Sequence, residues 1–532
     1  MICMKHLRCY VILAGILMSF PMALFSRASN DKHAVVFDLN YEGSVCADTL
    51  FVTPGCMMQQ ADCRQPERAG YRFAGWYTSK ECKPEQEWLF GAKNGGYYPP
   101  VRLDSMAVNH SMRLYARWVK PVRITTAEQF NNIRKDLHGW YVLDADIYLS
   151  AYKDWQPIGE YESDCEMADG EWWKKAFKGN LDGQGHKILH LNLTTGNPIK
   201  KALFGAIANG EVCNLVIEDC RINLQAPTIY VAPLVGIMKQ DGGRVAAVQN
   251  CEVKNLLVKV GLNMQTSNFS GVTGLIAGAW NGTIEHCTVS GDISVDVEGH
   301  GGGELYIGGI LGEGYSDTKG CHSAINIQTN IRGGGQLKIF IGGLQASATN
   351  VAGSISTGKI EVKGNNDIKE MYIGGLVGSQ RYGDICNNAS QSDITVQNAS
   401  VAQIGGIVGE FNKTYGSIGT AFGVSKTTVT KCYASGIVNL KDIGTLVYGN
   451  ISGSGQPEPL AGWFGKGMSY LVTNCAYLNQ HITDAVDATI NSLKGFDSIG
   501  AMKGETLKEI LGTTHWIYVR KGRPIPKKRI SQ

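Results

Sequence analysis

The sequence predicts an all-β fold that is dominated by one parallel β-helix, a solenoid of stacked coils. Three observations predict it. A six-residue phrase, IGGLVG at 373–378, nearly recurs as IGGILG, IGGLQA and IGGIVG at 307–312, 341–346 and 404–409. Segments that alternate apolar and polar residues follow the phrase. Glycine is abundant (66 residues) and proline is not (15 residues), which indicates many tight turns rather than disorder.

The phrase belongs to an array of eight copies once substitutions are allowed. The last residues of successive copies are 31, 41, 35, 34, 32, 31 and 56 residues apart. A spacing of this kind is typical of repeat proteins whose units stack on their neighbours. The copies are ALFG (202–205), PLVG (233–236), GLIA (274–277), GILG (309–312), GLQA (343–346), GLVG (375–378), GIVG (406–409) and GWFG (462–465).

A second phrase follows the copies, for example IEHCTVSGDISV at 284–295, VAGSISTGKIEV at 351–362 and VTKCYASGIVNL at 429–440. Its period of two predicts strands with one buried face. Each unit has too little apolar surface to fold alone, so stacking in parallel would bury a continuous core. The Gly-Gly pair is expected at a corner, where it permits a positive φ or a close backbone approach.

Small side chains recur at one position of the second phrase, which predicts a ladder of such side chains inside the solenoid. Adjacent rungs of a sheet lie about 4.8 Å apart, within the Cα range of a disulfide. Because disulfide geometry is demanding, we predict buried thiols in preference to bridges. The ladder residues are Cys251, Cys287, Cys321, Ser354, Asn388, Cys432 and Cys475.

The N-terminus predicts export. Basic residues at 5–8 precede an apolar run at 10–20, and Ser26 and Ala28 occupy positions −3 and −1 of a cleavage point. This layout is typical of a secretory signal peptide, here 1–28. The run is too short and too interrupted to favour a membrane anchor. We therefore expect a secreted or cell-surface (cell-envelope) protein with no membrane span after cleavage.

Export also implies an oxidising compartment. Two of the 15 cysteines lie in the predicted leader, which leaves 13, so at least one is free or pairs between chains. Cys46, Cys56, Cys63 and Cys82 could form two bridges, whose connectivity the sequence leaves open.

Residues 33–119 differ from the repeats and predict a separate small β domain. VVFDLNYEG, RAGYRFAGWYTSKE and SMRLYARWV are strand-like and rich in aromatic residues. This segment resembles the Listeria–Bacteroides repeat, also called the internalin B-repeat-like module. The resemblance implies a β-grasp-like module of bacterial surface proteins. Trp76 and Trp118 are interpreted as core residues, because large aromatic side chains dominate small cores.

A capping region, 120–175, is predicted between this domain and the repeats. ITTAEQFNNIRKDLHG predicts a helix with Thr125 or Thr126 as N-cap, one face formed by Phe130, Ile133 and Leu137, and Gly139 as its end. A helix at this place would cover the open end of the solenoid.

The repeat region resembles GLUG-motif proteins. The resemblance rests on WQPIG (155–159), FKGNLDGQGHKI (177–188), ALFGAIANGEVCNLVIEDC (202–220) and HWIYVRKGRPI (515–525). It implies a right-handed parallel β-helix, assigned to 176–480, on a secreted or surface protein of a Bacteroides-like bacterium. Residues 481–532 are predicted to form a C-terminal cap and a basic tail.

Motifs of several enzyme classes are missing from the sequence. GLUG repeats also occur beside an IgA-cleaving metallopeptidase domain, but none of the 11 histidines is followed by Glu, so the HExxH zinc motif is absent. GxSxG is absent too. GSISTGKI at 353–360 lacks the Ser or Thr that a phosphate loop needs after its lysine, and is interpreted as a solenoid turn. No metal ligand or cofactor site is predicted.

Isolated carboxylates give weak catalytic candidates. Asp182 and His186 in LDGQGH could serve as acid and base, but a sharp turn explains the same residues. Asp292, Glu361 and Asp393 are expected on the outer face as solvated charges without matched partners. No catalytic residue is therefore predicted.

Aromatic residues follow the repeated phrase by two to four positions and give the candidate binding residues: Trp280, Tyr315, Tyr382 and Phe411, with Tyr415 in a nearby insertion. Equal offsets in stacked coils share a face. Exposed aromatics in a row can stack on sugars or contact a protein. The alternative is that these rings pack under their own turns.

These observations favour a non-enzymatic exported or surface protein that acts in adhesion or in glycan or protein binding. Its partner would be a host or microbial glycan or surface protein. A β-helix carbohydrate-active enzyme, a polysaccharide lyase or glycosidase, is the alternative, and a structural spacer is a third possibility. The formal net charge of +3 argues against nucleic acid as a partner.

Overall fold

The computed structural model confirms an all-β chain in which a small sheet precedes a parallel β-helix. Within the described part of the chain, no helix is long and apolar enough to cross a membrane. The structure describes residues 32–44, 46–56, 58, 66–83, 86–88, 90, 107–161, 175–195, 199–240, 245–264, 268–299, 301–333, 335–364, 368–381, 383–411, 427–436, 438–446, 470–478, 489–496, 505–511, 514, 516–517 and 525–526. The predicted signal peptide and most of the basic tail lie outside these residues.

The first unit is a five-stranded sheet with strand order β2-β1-β5-β3-β4. Strands β1 and β5 are parallel and the other pairs are antiparallel. Trp76 is buried and meets Phe37 edge to face at 4.8 Å, while the half-buried Trp118 donates from Nε1 to the carbonyl oxygen of Leu39. Both tryptophans thus pack within the unit. The strands are β1 (His33–Asp38), β2 (Cys46–Val52), β3 (Arg72–Tyr77), β4 (Glu87–Trp88) and β5 (Met112–Val119).

A short capping region closes the start of the solenoid. Helix α1 (Ala127–Asn131) has Thr126 as N-cap and passes into a 3₁₀ helix (Asn132–Lys135). The helical stretch therefore ends before the predicted stop at Gly139, since the Asp136 side chain accepts the backbone N–H of His138 and favours a turn there. The strands of this region are β6 (Val122–Ile124), β7 (Trp140–Leu143), β8 (Ile147–Tyr148) and β9 (Asn180–Asp182).

The capping region fills the end of the solenoid with large rings. Phe130 is fully buried and lies 5.9 Å from Trp155 and 6.4 Å from Phe204, measured between ring centroids. An ion pair joins the same region to the first repeat: Lys201 Nζ lies 2.9 Å from Asp154 Oδ2, and the lysine side chain is fully buried.

The solenoid consists of parallel strands, each paired with the matching strand of a neighbouring coil. These strands are β10 (Lys187–Leu189), β11 (Asn192–Leu193), β12 (Lys200–Lys201), β13 (Phe204–Ala208), β14 (Glu211–Cys213), β15 (Val216–Glu218), β16 (Arg221–Ala226), β17 (Tyr230–Val231), β18 (Val235–Lys239), β19 (Ala247–Gln249), β20 (Glu252–Asn263), β21 (Asn268–Thr273), β22 (Ile276–Glu285), β23 (Thr288–Glu298), β24 (Gly303–Gly308), β25 (Leu311–Lys319), β26 (His322–Arg332), β27 (Gly335–Gly342), β28 (Gln345–Ala348), β29 (Val351–Ala352), β30 (Ile355–Ser356), β31 (Lys359–Lys363), β32 (Ile368–Gly374), β33 (Val377–Gln380), β34 (Asp384–Cys386), β35 (Ala389–Ser390), β36 (Asp393–Gly405), β37 (Val408–Phe411), β38 (Thr427–Thr430), β39 (Tyr433–Ala434), β40 (Val438–Leu446), β41 (Tyr470–Leu478) and β42 (Thr489–Phe496).

Local register shifts interrupt some strand pairs, as between Val253 and Leu256, but one part of the coil keeps its register from coil to coil. One line of directly paired residues runs from the capping region to β42, which continues the stack past residue 480. Its members are Val122, Tyr141, Leu181, Val212, Val248, Ile284, Thr318, Val351, Ile385, Val429, Val472 and Ile490. Equal positions of the repeat therefore fall on one line of the solenoid.

The predicted ladder of small residues is present inside the coils. Cys251, Cys287, Cys321, Ser354 and Asn388 are at most 2% exposed. Each of the nine cysteines with a described side chain is a free thiol, and the prediction of buried thiols is confirmed for the ladder cysteines Cys251, Cys287, Cys321 and Cys432. Burial raises the pKa of the Cys287 thiol. The ladder continues with Cys432, and the side chain of Cys475 lies outside the description.

The residue before each ladder position turns the chain with a positive φ. This line contains Asn214, Asn250, His286, Gly320, Gly353, Asn387 and Lys431, with φ between 52° and 62°. Asn and Gly tolerate this conformation, whereas most other residues are destabilised in it because Cβ approaches the following carbonyl oxygen too closely. The second phrase thus carries its own corner signal.

Lys431→Gly is expected to raise the free energy of unfolding by about 1 kcal/mol, because glycine relieves the strain at φ 52°. Lys359→Gly, in the extended strand β31, is the matched control and should destabilise by about 1 kcal/mol. Urea unfolding of both variants measures the difference. Equal losses in the two variants would contradict the strain at Lys431.

The C-terminal segment packs on the flank of the solenoid. Helix α2 (Glu505–Leu511) precedes a two-stranded sheet of β43 (Trp516–Ile517) and β44 (Ile525–Pro526). Leu507, Leu511 and Trp516 form one buried cluster with Ala389 and Tyr433 of the solenoid. This segment thereby covers an apolar stripe of the outer surface.

Candidate functional site

The corner made by the repeated phrase needs its glycines for close approach. A Cβ on Gly375 would overlap the carbonyl oxygen of Gly406 in the next coil and Oγ of Ser390 on the opposite inner wall. Ser356 Oγ donates to the carbonyl oxygen of Gly375 from the same wall. The φ of Gly375 is not positive, so close backbone approach, and not unusual torsion, is the reason for glycine here.

On the outer surface beside this corner lies an aromatic stack, formed by Tyr306, Phe340 and Tyr372. These residues are register partners in β24, β27 and β32. Their ring centroids are 4.9 and 5.0 Å apart with interplanar angles of 10° and 12°. Flanking residues such as Leu305 and Ile307 belong to the inner core, so strand alternation places the three rings outside.

The rings are nevertheless at most 6% exposed. Part of the cover comes from the strands after the corner, where Ala346 belongs to the same buried cluster as the stack. The third residue of each of the strands β25, β28, β33 and β37 is polar. These four residues form a row: Glu313, Ser347, Ser379 and Glu410. We call the aromatic stack and this polar row together the outer seam.

Arg381 ties the two sides of the outer seam together. It is 5% exposed and donates from Nε to Ser347 Oγ at 2.7 Å and from Nη2 to the hydroxyl of Tyr306 at 3.2 Å. It also donates from Nη1 to the hydroxyl of Tyr315. Its Nη2 lies 3.5 Å from Glu313 Oε1, and the hydroxyl of Tyr230 donates to Glu313 Oε2 at 2.9 Å. These contacts stabilise part of the charge of Glu313, whose side chain is 13% exposed.

Two carboxyl groups of the outer seam have raised pKa values. Burial raises the pKa of Glu313, and the nearby Arg381 opposes the shift. Burial also raises the pKa of Glu410 to about 7. The hydroxyl of Ser379, which donates to Glu410 Oε2 at 3.0 Å, opposes this shift, whereas the negative charge of Glu370 adds to it. Glu410 therefore exchanges its proton near neutral pH.

A second row borders the aromatic stack, and we call it the rim row: Phe269, Glu304, Lys338 and Glu370, which are register partners in β21, β24, β27 and β32. Phe269 is 49% exposed and the other three are partly exposed. The hydroxyl of Tyr306 donates to Glu304, and that of Tyr372 to Glu370 at 2.9 Å. Lys338 Nζ lies 2.8 Å from Glu370 Oε2.

The predicted binding residues fall into different groups. Trp280 and Tyr315 are register partners in consecutive coils and are both half-buried. Trp280 packs on a cluster that includes Ala206 and Ile237, and the hydroxyl of Tyr315 accepts from Arg381. These two rings therefore border the outer seam on the side opposite the rim row.

The side chains of the other members of the predicted aromatic row are not among the described residues. The backbone of Phe411 pairs with Gln380, which places it one register position before the line of Arg381. Tyr382 and Tyr415 lie outside the described residues, as does the side chain of Phe411. An aromatic row longer than the pair Trp280 and Tyr315 thus stays a prediction.

Asp182 and His186 flank a sharp turn, which agrees with the interpretation of LDGQGH as a turn. Asp182 Oδ1 accepts the backbone N–H of Gln184 at 2.9 Å and Nδ2 of Asn214 at 3.0 Å, and Asp182 also pairs with Arg72 of the first unit. His186 Nδ1 lies 3.4 Å from Asp146, away from this network.

The other carboxylate candidates lie on the outer side of the sheet formed by β23, β26, β31 and β36, which we call the flat polar face. Asp292 accepts from Asn326 Nδ2 at 2.9 Å, and Asp393 is the register partner of Lys359. Glu361 is exposed on the same face. Within the described residues, no three His, Cys, Asp or Glu side chains are grouped to hold a metal ion.

Comparison with known proteins gives partial similarity. No family model matches the chain. A relative in Evansella cellulosilytica, described as a "Putative Gly-rich membrane protein", is 33% identical over 126 residues, which is 22% of this chain and 13% of the relative. The chain thus spans a small part of that relative's length.

A solved structure is also similar, described as a "putative immunoglobulin A1 protease from Bacteroides ovatus". The similarity covers 77% of this chain and 92% of that chain, with 15% sequence identity and a TM-score of 0.36.

The aromatic stack and the rim row were not identified from the sequence, although a signal for the stack exists. Tyr306, Phe340 and Tyr372 each stand two residues before the Gly-Gly pair, in YIGG, FIGG and YIGG. In a register-stacked solenoid that constant offset predicts stacked rings.

Proposed function

We propose that the protein is an exported or cell-surface β-helix protein of the GLUG type, and that it acts by binding in adhesion. One observation carries the proposal: outward aromatic side chains gather on neighbouring lines of the solenoid, in the outer seam and at its two borders. Trp280 and Tyr315 border it on one side and Phe269 on the other. Aromatic side chains of this kind supply contact area for sugars and proteins.

The location rests on two arguments. The N-terminal sequence has the layout of a secretory leader. The name of the Evansella cellulosilytica relative, "Putative Gly-rich membrane protein", also fits a cell-surface location. The flat polar face, by contrast, carries interspersed charges of both signs that fit a solvated surface.

A glycan array probed with the mature chain tests the binding proposal. Trp280→Ala should weaken binding about tenfold, since it removes the largest ring at the border of the seam. Tyr148→Ala, which removes a 58% exposed ring in the capping region, should leave binding unchanged. Failure of the mature chain to bind any glycan or surface protein would overturn the proposal in favour of a spacer.

A polysaccharide-cleaving enzyme is the second candidate, and Glu410 favours it. A buried carboxyl group with a pKa of about 7, close to Glu370, has the protonation behaviour of a general acid. Release of reducing ends or unsaturated products by the mature chain, abolished by Glu410→Gln, would establish this alternative. Unchanged polysaccharides would leave binding as the function.

A further inference from the structure

The rim row combines an exposed aromatic ring with carboxylates in fixed orientations. Phe269 offers half of its surface to solvent one rung from Glu304, and Glu370 follows two rungs later. Neighbouring rungs are about 4.8 Å apart, so the two carboxylates recur at about 10 Å along the solenoid axis. A linear ligand with repeated groups matches this arrangement.

Buried groups hold the carboxylates of the rim row in place. The hydroxyls of Tyr306 and Tyr372 donate to Glu304 and Glu370, and the rings of both tyrosines are locked in the aromatic stack. A carboxylate oriented by a rigid donor loses less conformational entropy when a ligand binds. The rim row is thus pre-organised to accept hydrogen bonds.

The charge around the rim row selects a cationic ligand. Glu304 and Glu370 of the rim row face one basic residue, Lys338, whose Nζ lies 2.8 Å from Glu370 Oε2. In the seam, Arg381 offsets the charge of Glu313, so the described residues leave the rim row with a net negative charge. An ionised carboxylate only accepts hydrogen bonds, and its strongest partners are charged donors. A protonated amine satisfies both requirements.

The sheet around the rim row disfavours an extended peptide. At Glu304 and Lys338, strands β24 and β27 are paired on both sides, so the middle of the rim row presents no free edge to which a peptide strand could add. A ligand at this place must be recognised through side chains. The apolar face of a sugar ring fits the exposed ring of Phe269.

We propose that the rim row binds a carbohydrate chain with free amino groups that lies along the solenoid axis. This inference rests on the proposed binding function and specifies its ligand. The protonated amines donate to Glu304 and Glu370, and one sugar ring stacks on Phe269.

A chitosan hexasaccharide and a chitin hexasaccharide test the proposal, because they share one backbone and differ in whether the amines are free or acetylated. Isothermal titration of the mature chain at mildly acidic pH should show binding of the free-amine form at least about tenfold tighter than of the acetylated form, since a charge-assisted hydrogen bond is lost with the charge. Rising salt should weaken the binding.

Two variants and one control locate the site. Glu304→Gln and Phe269→Ser should each weaken binding of the free-amine hexasaccharide about tenfold. Glu361→Gln makes the same change of charge on the flat polar face and should have no effect. Phe269 is half exposed, so its replacement tests the site even if Glu304→Gln lowers stability.

The outcomes separate this inference from the proposed function. Equal binding of both hexasaccharides, or binding of neutral glycans alone, overturns the inference and leaves the binding function standing. Binding of polylysine without binding of the free-amine hexasaccharide indicates a basic peptide ligand and also overturns it. Absence of any glycan or protein binding overturns both.

Discussion

Gly375→Val is expected to lower the free energy of unfolding by about 3 kcal/mol. The new side chain meets the backbone carbonyl of Gly406 in the next coil and Oγ of Ser390 on the inner wall. The serine can rotate, but the carbonyl lies at the corner between the paired strands β36 and β37 and moves only with its coil. Overpacking that shifts backbone costs roughly 1–3 kcal/mol, and the stacked neighbours put this site at the upper end.

Urea unfolding monitored by circular dichroism measures the change, with Glu361→Val as control. Glu361 is exposed on the flat polar face one coil earlier, and its replacement by a β-branched residue should change stability by less than about 0.5 kcal/mol. A Gly375→Val protein as stable as the control would refute the close approach at the corner.

Asp154→Ala is expected to cost about 3–5 kcal/mol. It leaves the fully buried ammonium of Lys201 without its carboxylate, and among the described residues the hydroxyl of Thr195 remains as its partner, at 3.3 Å. Breaking a buried ion pair by removing one partner is costly because the other charge stays desolvated. The loss should appear as a lower urea midpoint of the solenoid.

The double variant Asp154→Ala/Lys201→Met separates charge from packing. Methionine fills a similar volume without a charge, so the double variant should regain most of the stability that Asp154→Ala loses. A double variant as unstable as the single one would show that Asp154 acts through its hydrogen bonds to the backbone and to Thr195 instead.

The same ion pair predicts an acid dependence. Burial alone would raise the pKa of Asp154, but hydrogen bonds from Thr194 and Lys201 outweigh it and lower the pKa below its usual value. A lowered folded-state pKa means that the stabilisation is present above the unfolded value, near 3.9, and is lost as pH falls through the folded value. Asp154→Ala should remove this part of the acid sensitivity.

The stacked coils were predictable because register preserves sequence offset. Residues at one offset of the repeated phrase lie on one line of the solenoid, so the inner ladder from Cys251 to Cys432 could be assigned without coordinates. The helix at Thr126 was predicted from its N-cap, but its end was placed too late. A side-chain hydrogen bond of Asp136 competes there with the weak helical preference of the two preceding asparagines.

The sequence by itself determined the repeat, the parallel stacking and the buried thiols, since all three follow from local periodicity repeated in register. Only the tertiary structure decided what meets across the Gly-Gly corner. Arg381 contacts Glu313 and Tyr306, more than two coils earlier in the chain, because the corner turns two outer faces toward each other. The angle between these two outer faces is set by backbone packing at the glycines, and the periodicity of the sequence does not encode it. In a strand, a change of one residue in offset moves a side chain to the opposite face, so the contacts across the corner cannot be assigned from the repeat alone.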